Sequence, residues 1–266
     1  TGPTDHTWCY YSDWLKKTHA YQLAGPVVFF SPLQYVYWYD RPAEYDRSAA
    51  LNFWKHMPTT WDKTLVLRGK IGEYVVVARQ KGPDWYIGAL NNGSGRTLEV
   101  PLDLLPDNTD YVATIYTDKP GADPEHYPVP VSVERVLVDS TDDMMAPLLA
   151  TGGQAIHLQP ASTETKQEVP AYRHPEIHVR DLKAPDKPES GQKFPVTAVL
   201  ENTGNIVGGR EVQVRVDGMP VSSSSVRIKP DGRGTRKLSC KIKSPGDYSV
   251  QVGNKSISLT VENAGK

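Results

Sequence analysis

The residue types best suited to chemistry are thinly spread along this 266-residue chain. Near the start, Asp5, His6 and Trp8 lie together in Gly2-Pro3-Thr4-Asp5-His6-Thr7-Trp8. An Asp there can hold a sugar hydroxyl or simply close a turn. A Trp there can stack on a pyranose ring or bury apolar surface. The densest aromatic run is Tyr35-Val36-Tyr37-Trp38-Tyr39. Strand alternation sets Tyr35, Tyr37 and Tyr39 on one face and Val36 and Trp38 on the other, as a sugar platform or, the favoured reading, as packing surface. Asp142-Asp143, beside Met144-Met145, offers two carboxylates, but a hard cation needs further oxygen ligands at set spacing, so a solvated loop is expected. Lys229, Arg233, Arg236, Lys237, Lys241 and Lys243 form a basic stretch that alternates with apolar positions, the pattern of a solvated strand face. Gly152-Gly153 and Gly208-Gly209 lack the strand–helix setting of a phosphate loop. Cys9 and Cys240 stand at opposite ends and read as two separate thiols, with neither a disulfide framework nor metal-site spacing. No nucleophile–base arrangement follows from spacing alone.

Composition narrows the classes. The chain carries 30 Lys+Arg against 31 Asp+Glu, a net charge of -1, so no whole-chain attraction to nucleic acid or an anionic membrane is expected. With 21 Gly and 22 Pro, many turns are expected, and 14 Tyr with 6 Trp suit β-sheets and sugar-facing surfaces alike. No apolar run approaches the ~20 residues of a membrane span. Pro26-Val27-Val28-Phe29-Phe30 is strand-sized. There is no initiator Met and no signal-like segment, and Thr1 reads as a cut point in a longer chain.

The elements that would position these residues fall into blocks. Residues 1–57 read as helix, buried strand, helix. Ser12 to Ala24 is helical by the spacing of Trp14, Thr18 and Tyr21 and ends at Gly25-Pro26. Val27 to Phe30 is a parallel strand, apolar on both faces. Asp46 to Met57 is helical by Ala50, Phe53, Trp54 and Met57. Residues 58–159 switch to period two. Strands are predicted at 65–67, 74–79, 85–90, 97–102, 111–117, 129–138 and 155–158, the grammar of an antiparallel sandwich. Residues 160–175 are polar, bear Pro and lack periodicity, so they read as a linker. Residues 176–262 hold seven predicted strands, at 177–182, 194–201, 211–216, 226–228, 236–242, 247–252 and 256–261. Asp217-Gly218, Pro230-Asp231-Gly232 and Pro245-Gly246 are turns between them, and this is immunoglobulin-like grammar.

Several stretches carry a resemblance. Gly2-Pro3-Thr4-Asp5-His6-Thr7, Thr18-His19-Ala20-Tyr21-Gln22-Leu23-Ala24 and Val27-Val28-Phe29-Phe30-Ser31-Pro32-Leu33-Gln34 occur in order. Val66-Leu67-Arg68-Gly69-Lys70-Ile71-Gly72-Glu73-Tyr74 and Trp85-Tyr86-Ile87-Gly88-Ala89 follow them. Together they are similar to the end of glycoside hydrolase family 97, calcium-dependent α-glucosidases and α-galactosidases with a central (β/α)8 barrel. The resemblance covers residues 1–159. It departs at His6, where Tyr is usual, at Tyr21, where His is usual, and at Phe30, where Glu is expected, which removes any charge role there. The last block resembles a cell-adhesion-related (CARDB-like) sandwich through Ile177 to Pro185, Ser190 to Thr197, Glu201-Asn202-Thr203-Gly204 and Val216-Asp217-Gly218.

The expected fold class is therefore mainly β: two antiparallel β-sandwich domains preceded by a short α/β remnant of a (β/α)8 barrel. The resemblance implies the C-terminal portion of a glycoside hydrolase acting on α-glucosides or α-galactosides. Its catalytic carboxylates and calcium ligands lie upstream, so this portion holds no catalytic residue, metal or cofactor and is inactive alone. Asp5, His6 and Trp8 become the substrate-side candidates, in a loop at the barrel mouth. The implied partners are an α-linked oligosaccharide or polysaccharide and the barrel portion of the same protein, in the periplasm or outside the cell. The alternative is a non-catalytic carbohydrate-binding or surface-adhesion protein, suggested by Phe30 and the adhesion-like end domain.

Overall fold

The computed structural model describes residues 6–11, 16–38, 49–122 and 129–264. It is mainly β and divides into two compact units, residues 1–174 and 175–266.

The first unit opens with strand β1 (His6–Tyr11), helix α1 (His19–Val28) and strand β2 (Gln34–Trp38). The strands pair in parallel, with Trp8 opposite Val36, so the three elements form a βαβ crossover. This corrects the predicted order. The strand expected at Val27 to Phe30 is the end of α1 and its exit, and Phe29 and Phe30 are each 43% exposed. The strand is instead β1, where a loop was expected. Gly25-Pro26 does not stop the helix. A residue before proline is driven from helical angles largely by its own Cβ, which Gly25 lacks. Thr18 caps α1 by accepting the Tyr21 amide, while residues 12–15, assigned to that helix from the sequence, lie outside the described residues. The second predicted helix is α2 (Leu51–His56), with Asp46 to Ser48 likewise undescribed.

Eight strands follow: β3 (Lys63–Lys70), β4 (Tyr74–Lys81), β5 (Asp84–Asn91), β6 (Arg96–Pro101), β7 (Tyr111–Asp118), β8 (Val131–Val138), β9 (Asp143–Leu148) and β10 (Gly153–Pro160). Six make one antiparallel sheet in the order β3-β4-β5-β10-β7-β8, and β6 pairs with β9. The strand β9 replaces the solvated loop expected around Asp143, because Met144, Ala146 and Leu148 alternate into the core. The expected linker is also partly structured. It carries helix α3 (Thr163–Glu168), capped by Ser162, and Pro170 and Tyr172 exchange backbone bonds with Leu137 along β8.

The second unit holds seven strands: β11 (Ile177–Lys183), β12 (Lys193–Asn202), β13 (Gly208–Val216), β14 (Met219–Ile228), β15 (Gly232–Lys241), β16 (Gly246–Val252) and β17 (Lys255–Val261). They form a sheet β11-β12-β15 and a sheet β14-β13-β16-β17, an immunoglobulin-like sandwich. Asp217 and Gly218 both take positive φ, the two-residue hairpin turn that the Asp-Gly pair favours. Asn202 explains part of the Glu201-Asn202-Thr203-Gly204 motif. Its buried amide donates to the carbonyls of Ile206 (2.8 Å), Ile228 and Lys229, and its oxygen accepts the Gly204 amide. Cys240 lies in this core as a free thiol, and burial raises its pKa.

Candidate functional site

The site-bearing part of the first unit is the seam between the βαβ crossover and the six-stranded sheet. Helix α1 lies on β5 and β10 at points where those strands carry glycine. A Cβ at Gly88 would sit 2.6 Å from the Ala24 carbonyl, and one at Gly153 2.6 Å from the Tyr21 Cα. The absent side chains let helix and sheet backbones approach. Leu23, Ala24 and Val27 then share a core with Phe53, Tyr86, Leu90 and Tyr116.

Arg79 on β4 closes the C-terminal end of α1. Its guanidinium donates to the carbonyls of Val27 and Val28 (3.2 Å to the latter) and to the Thr64 hydroxyl at 2.8 Å. These are among the last carbonyls of the helix, which have no partners within it, and the helix dipole favours a cation there. Burial disfavours the Arg79 charge and lowers its pKa, so the carbonyls and the Phe30 and Trp61 rings beside it replace water.

Trp8 and His6 occupy the opposite side of α1. Trp8 is buried, packs where a Gly25 Cβ would lie, and donates its indole N–H to Gln34 at 2.7 Å. His6 stacks on Trp8 with ring centres 5.6 Å apart, and Phe29 packs against both. The structure thus brings His6 and Trp8, on strand β1, together with Phe29 at the end of α1, while Asp5 lies outside the described residues. The beneath-helix position of Trp8 is that of a packing residue.

Beside this seam opens a cleft of about 470 Å³, lined by Lys17, Tyr21, Phe29, the β3–β4 hairpin Gly69–Val75 and Leu90–Asn92. Spacing along the sequence could not show it, because its walls come from three distant segments. Among the described residues its lining carries one carboxylate, Glu73. Lys70 at 2.5 Å and Arg96 at 2.9 Å hold that group ionised and lower its pKa. A carboxylate kept charged by two cations is unsuited to donate a proton to a leaving group.

A second cluster lies under α2. His157 on β10 stacks on Tyr86 at 4.3 Å and contacts Asp84 at 2.8 Å, and the Tyr86 hydroxyl donates to the His56 carbonyl at 2.7 Å. Burial outweighs Asp84 and lowers the His157 pKa. Near Asp142 and Asp143, Asp139 accepts the Thr141 amide and hydroxyl, and Asp142 accepts the Asp139 amide. These are turn contacts. Among the described residues no three His, Cys, Asp or Glu side chains gather as a metal set.

Comparison with known proteins agrees with this architecture. Residues 60–159 match the family described as Glycosyl-hydrolase 97 C-terminal, oligomerisation. The retaining alpha-galactosidase of Bacteroides thetaiotaomicron is 40% identical over 111 residues, which is 41% of this chain and 16% of that protein. A probable retaining alpha-galactosidase of Streptomyces bingchenggensis is 32% identical over 126 residues, 46% of this chain and 18% of that protein. The chain therefore spans less than a fifth of the length of these relatives. A glycoside hydrolase family 97 enzyme from Pseudoalteromonas sp. strain K8, solved with acarbose, superposes with a TM-score of 0.55 at 30% identity, over 60% of this chain and 27% of that one.

Proposed function

Residues 60–159 match the glycosyl-hydrolase 97 C-terminal family, and from that premise we propose that this chain is the C-terminal portion of a hydrolase acting on α-galactosides or α-glucosides. The observation that carries the reading is the βαβ crossover fused to that domain. A parallel pair is normally covered on both faces. Here α1 covers one, while among the described residues Tyr35 and Tyr37 are 54% and 48% exposed on the other. In this reading a (β/α)8 barrel of the same polypeptide covers that surface and supplies the two carboxyl groups that glycoside hydrolysis generally uses. This chain positions the barrel's last elements through Arg79 and the Gly88 and Gly153 contacts, and does not turn over alone.

Calcium belongs with the complete enzyme in the same reading, and no step is drawn through it because the described residues gather no ligand set. A periplasmic or extracellular location fits a polysaccharide substrate and the appended sandwich. Galactosides are the first substrates to test, since the two relatives are described as a retaining alpha-galactosidase and a probable retaining alpha-galactosidase. The test compares release of 4-nitrophenol from aryl α-galactosides and α-glucosides by the full-length parent and by the 266-residue chain. Turnover by the parent alone is the expected result. Turnover by this chain alone, or none by the parent on any α-glycoside, overturns the proposal.

A further inference from the structure

The basic stretch noted in the sequence resolves into a feature of the second unit that the hydrolytic reading does not use. Strand β15 sends Arg233, Lys237 and Lys241 to the outward face of the three-stranded sheet, whereas Arg236 turns to the Arg227 carbonyl. The pairing registers add neighbours. Lys193 lies directly opposite Lys241, and Lys183 and Lys237 flank Thr197 from either side. The two rows are separated by about 13 Å along the strands. Lys193, Lys237 and Lys241 are exposed and have no carboxylate partner among the described residues, while Glu201 is shared by Arg180 and Arg233.

Like charges directly opposite one another weaken a sheet. An edge strand can use lysine to block aggregation, and Lys193 lies beyond the last β11–β12 pair at Thr197, but setting it directly opposite Lys241 adds a repulsion that edge protection does not require. The other sheet carries Arg210, Arg215 and Lys255 against Glu211 and Asp247, a smaller excess with no two cations directly opposite one another. Between the two rows lies a shallow cavity of about 290 Å³, with Lys193, Lys237, Pro195 and Ser239 among its walls. Thr197, Thr235 and Ser239 intersperse hydroxyls among the cations.

We propose that this face binds an acidic polysaccharide, a polymer of carboxylate-bearing sugars. Spaced cations meet its repeating charge, and the hydroxyls meet its sugar hydroxyls. A membrane is disfavoured because the face offers no exposed large apolar side chain to insert: those of the second unit, Met219 and Val221, lie on the other sheet. Single-stranded nucleic acid is disfavoured by the absence of an exposed aromatic platform on the face. The inference does not rest on the hydrolytic reading, because neither the ligand nor the face enters that chemistry.

The test is affinity electrophoresis of the full chain through gels containing polygalacturonate, with neutral dextran, duplex DNA and phosphatidylglycerol vesicles assayed in parallel by co-sedimentation or gel shift. Retardation by polygalacturonate is expected, weakening as salt rises from about 50 to about 200 mM. The double variant K193E/K241E is expected to lose affinity roughly tenfold or more, given two contacts reversed in sign, while K255E on the other sheet binds as the parent does. The substituted side chains are exposed, so all variants are expected to melt with the parent. K237E replaces the double variant if that one does not. No retardation at low salt, unchanged binding by the face variants, or stronger binding to DNA or vesicles than to polygalacturonate overturns the proposal. Loss of hydrolysis by the parent would leave this result unaffected.

Discussion

Replacing Arg79 with Met tests whether the six-stranded sheet holds the βαβ crossover by capping its helix. Methionine keeps the length and apolar bulk of the side chain and deletes the guanidinium. The carbonyls of Val27 and Val28 then lose donors in a setting where Val27 is buried and Val28 half-buried. An unsatisfied buried acceptor costs about 1–3 kcal/mol, and bonds to charged groups are at the strong end. Removing a desolvated cation returns part of that sum, since burial already disfavours the Arg79 charge. The expected loss is therefore about 2–4 kcal/mol. At about 2–4 °C per kcal/mol for a unit of this size, the first unit should melt roughly 5–15 °C lower. Two units make a single two-state fit unsafe, so amide hydrogen exchange is the sharper assay. Residues 19–28 should exchange faster in Arg79→Met while residues 175–266 remain unchanged as an internal reference. Unchanged protection of α1, or an equal change in the second unit, would refute the capping argument.

Three other perturbations probe the same unit. Gly88→Ala places a methyl 2.6 Å from the Ala24 backbone carbonyl, so it should cost about 1–3 kcal/mol by overpacking, read as a lower urea midpoint at constant slope. His157, whose folded pKa lies below its unfolded value, stays neutral in the fold. The unfolded state then binds more protons as pH falls through the unfolded pKa of about 6.5 toward the folded pKa, so the stabilisation present above that window declines across it. His157→Gln should flatten this slope in melts at stepped pH, and a variant with the parent's slope would contradict the assignment. Tyr35→Ser with Tyr37→Ser should reduce concentration-dependent self-association of this chain in light scattering without lowering its melting temperature. A lower melting temperature would mean those rings already pack within the unit.

The β-rich remainder was legible because its periodicity and turn chemistry agree. All seven strands of the second unit were placed by alternation broken by Asp217-Gly218 and Pro230-Asp231-Gly232, although β14 was expected only at 226–228 and begins at Met219, because its serine run lacks alternation. The sequence reading failed where tertiary contacts outweighed local pattern. Val27-Val28-Phe29-Phe30 has the composition of a buried strand, yet Gly25 relaxes the constraint before Pro26 and Arg79, more than fifty positions away, satisfies the helix end. The second effect is not visible within a short window of residues. β9 was missed because Pro147 and the two aspartates mask the alternation of Met144, Ala146 and Leu148.

The candidate site shows the same division. His6 and Trp8 were picked for their chemistry as neighbours in a loop; they lie on strand β1, where Trp8 fills the space above Gly25 and its indole N–H is taken by Gln34. A side chain committed to a helix contact and a hydrogen bond has little left to offer a sugar ring. The aromatic surface that stays open is on the far face of the parallel pair, at Tyr35 and Tyr37. Among the described residues, the two parallel strands are covered on one side by a single helix, and larger α/β folds extend such a unit with further strand–helix repeats. The anchoring of α1 by Arg79, Gly88 and Gly153 fixes the angle at which such repeats could continue. In the proposed reading, the sheet of this chain is the end-stop against which a barrel of the same polypeptide would close.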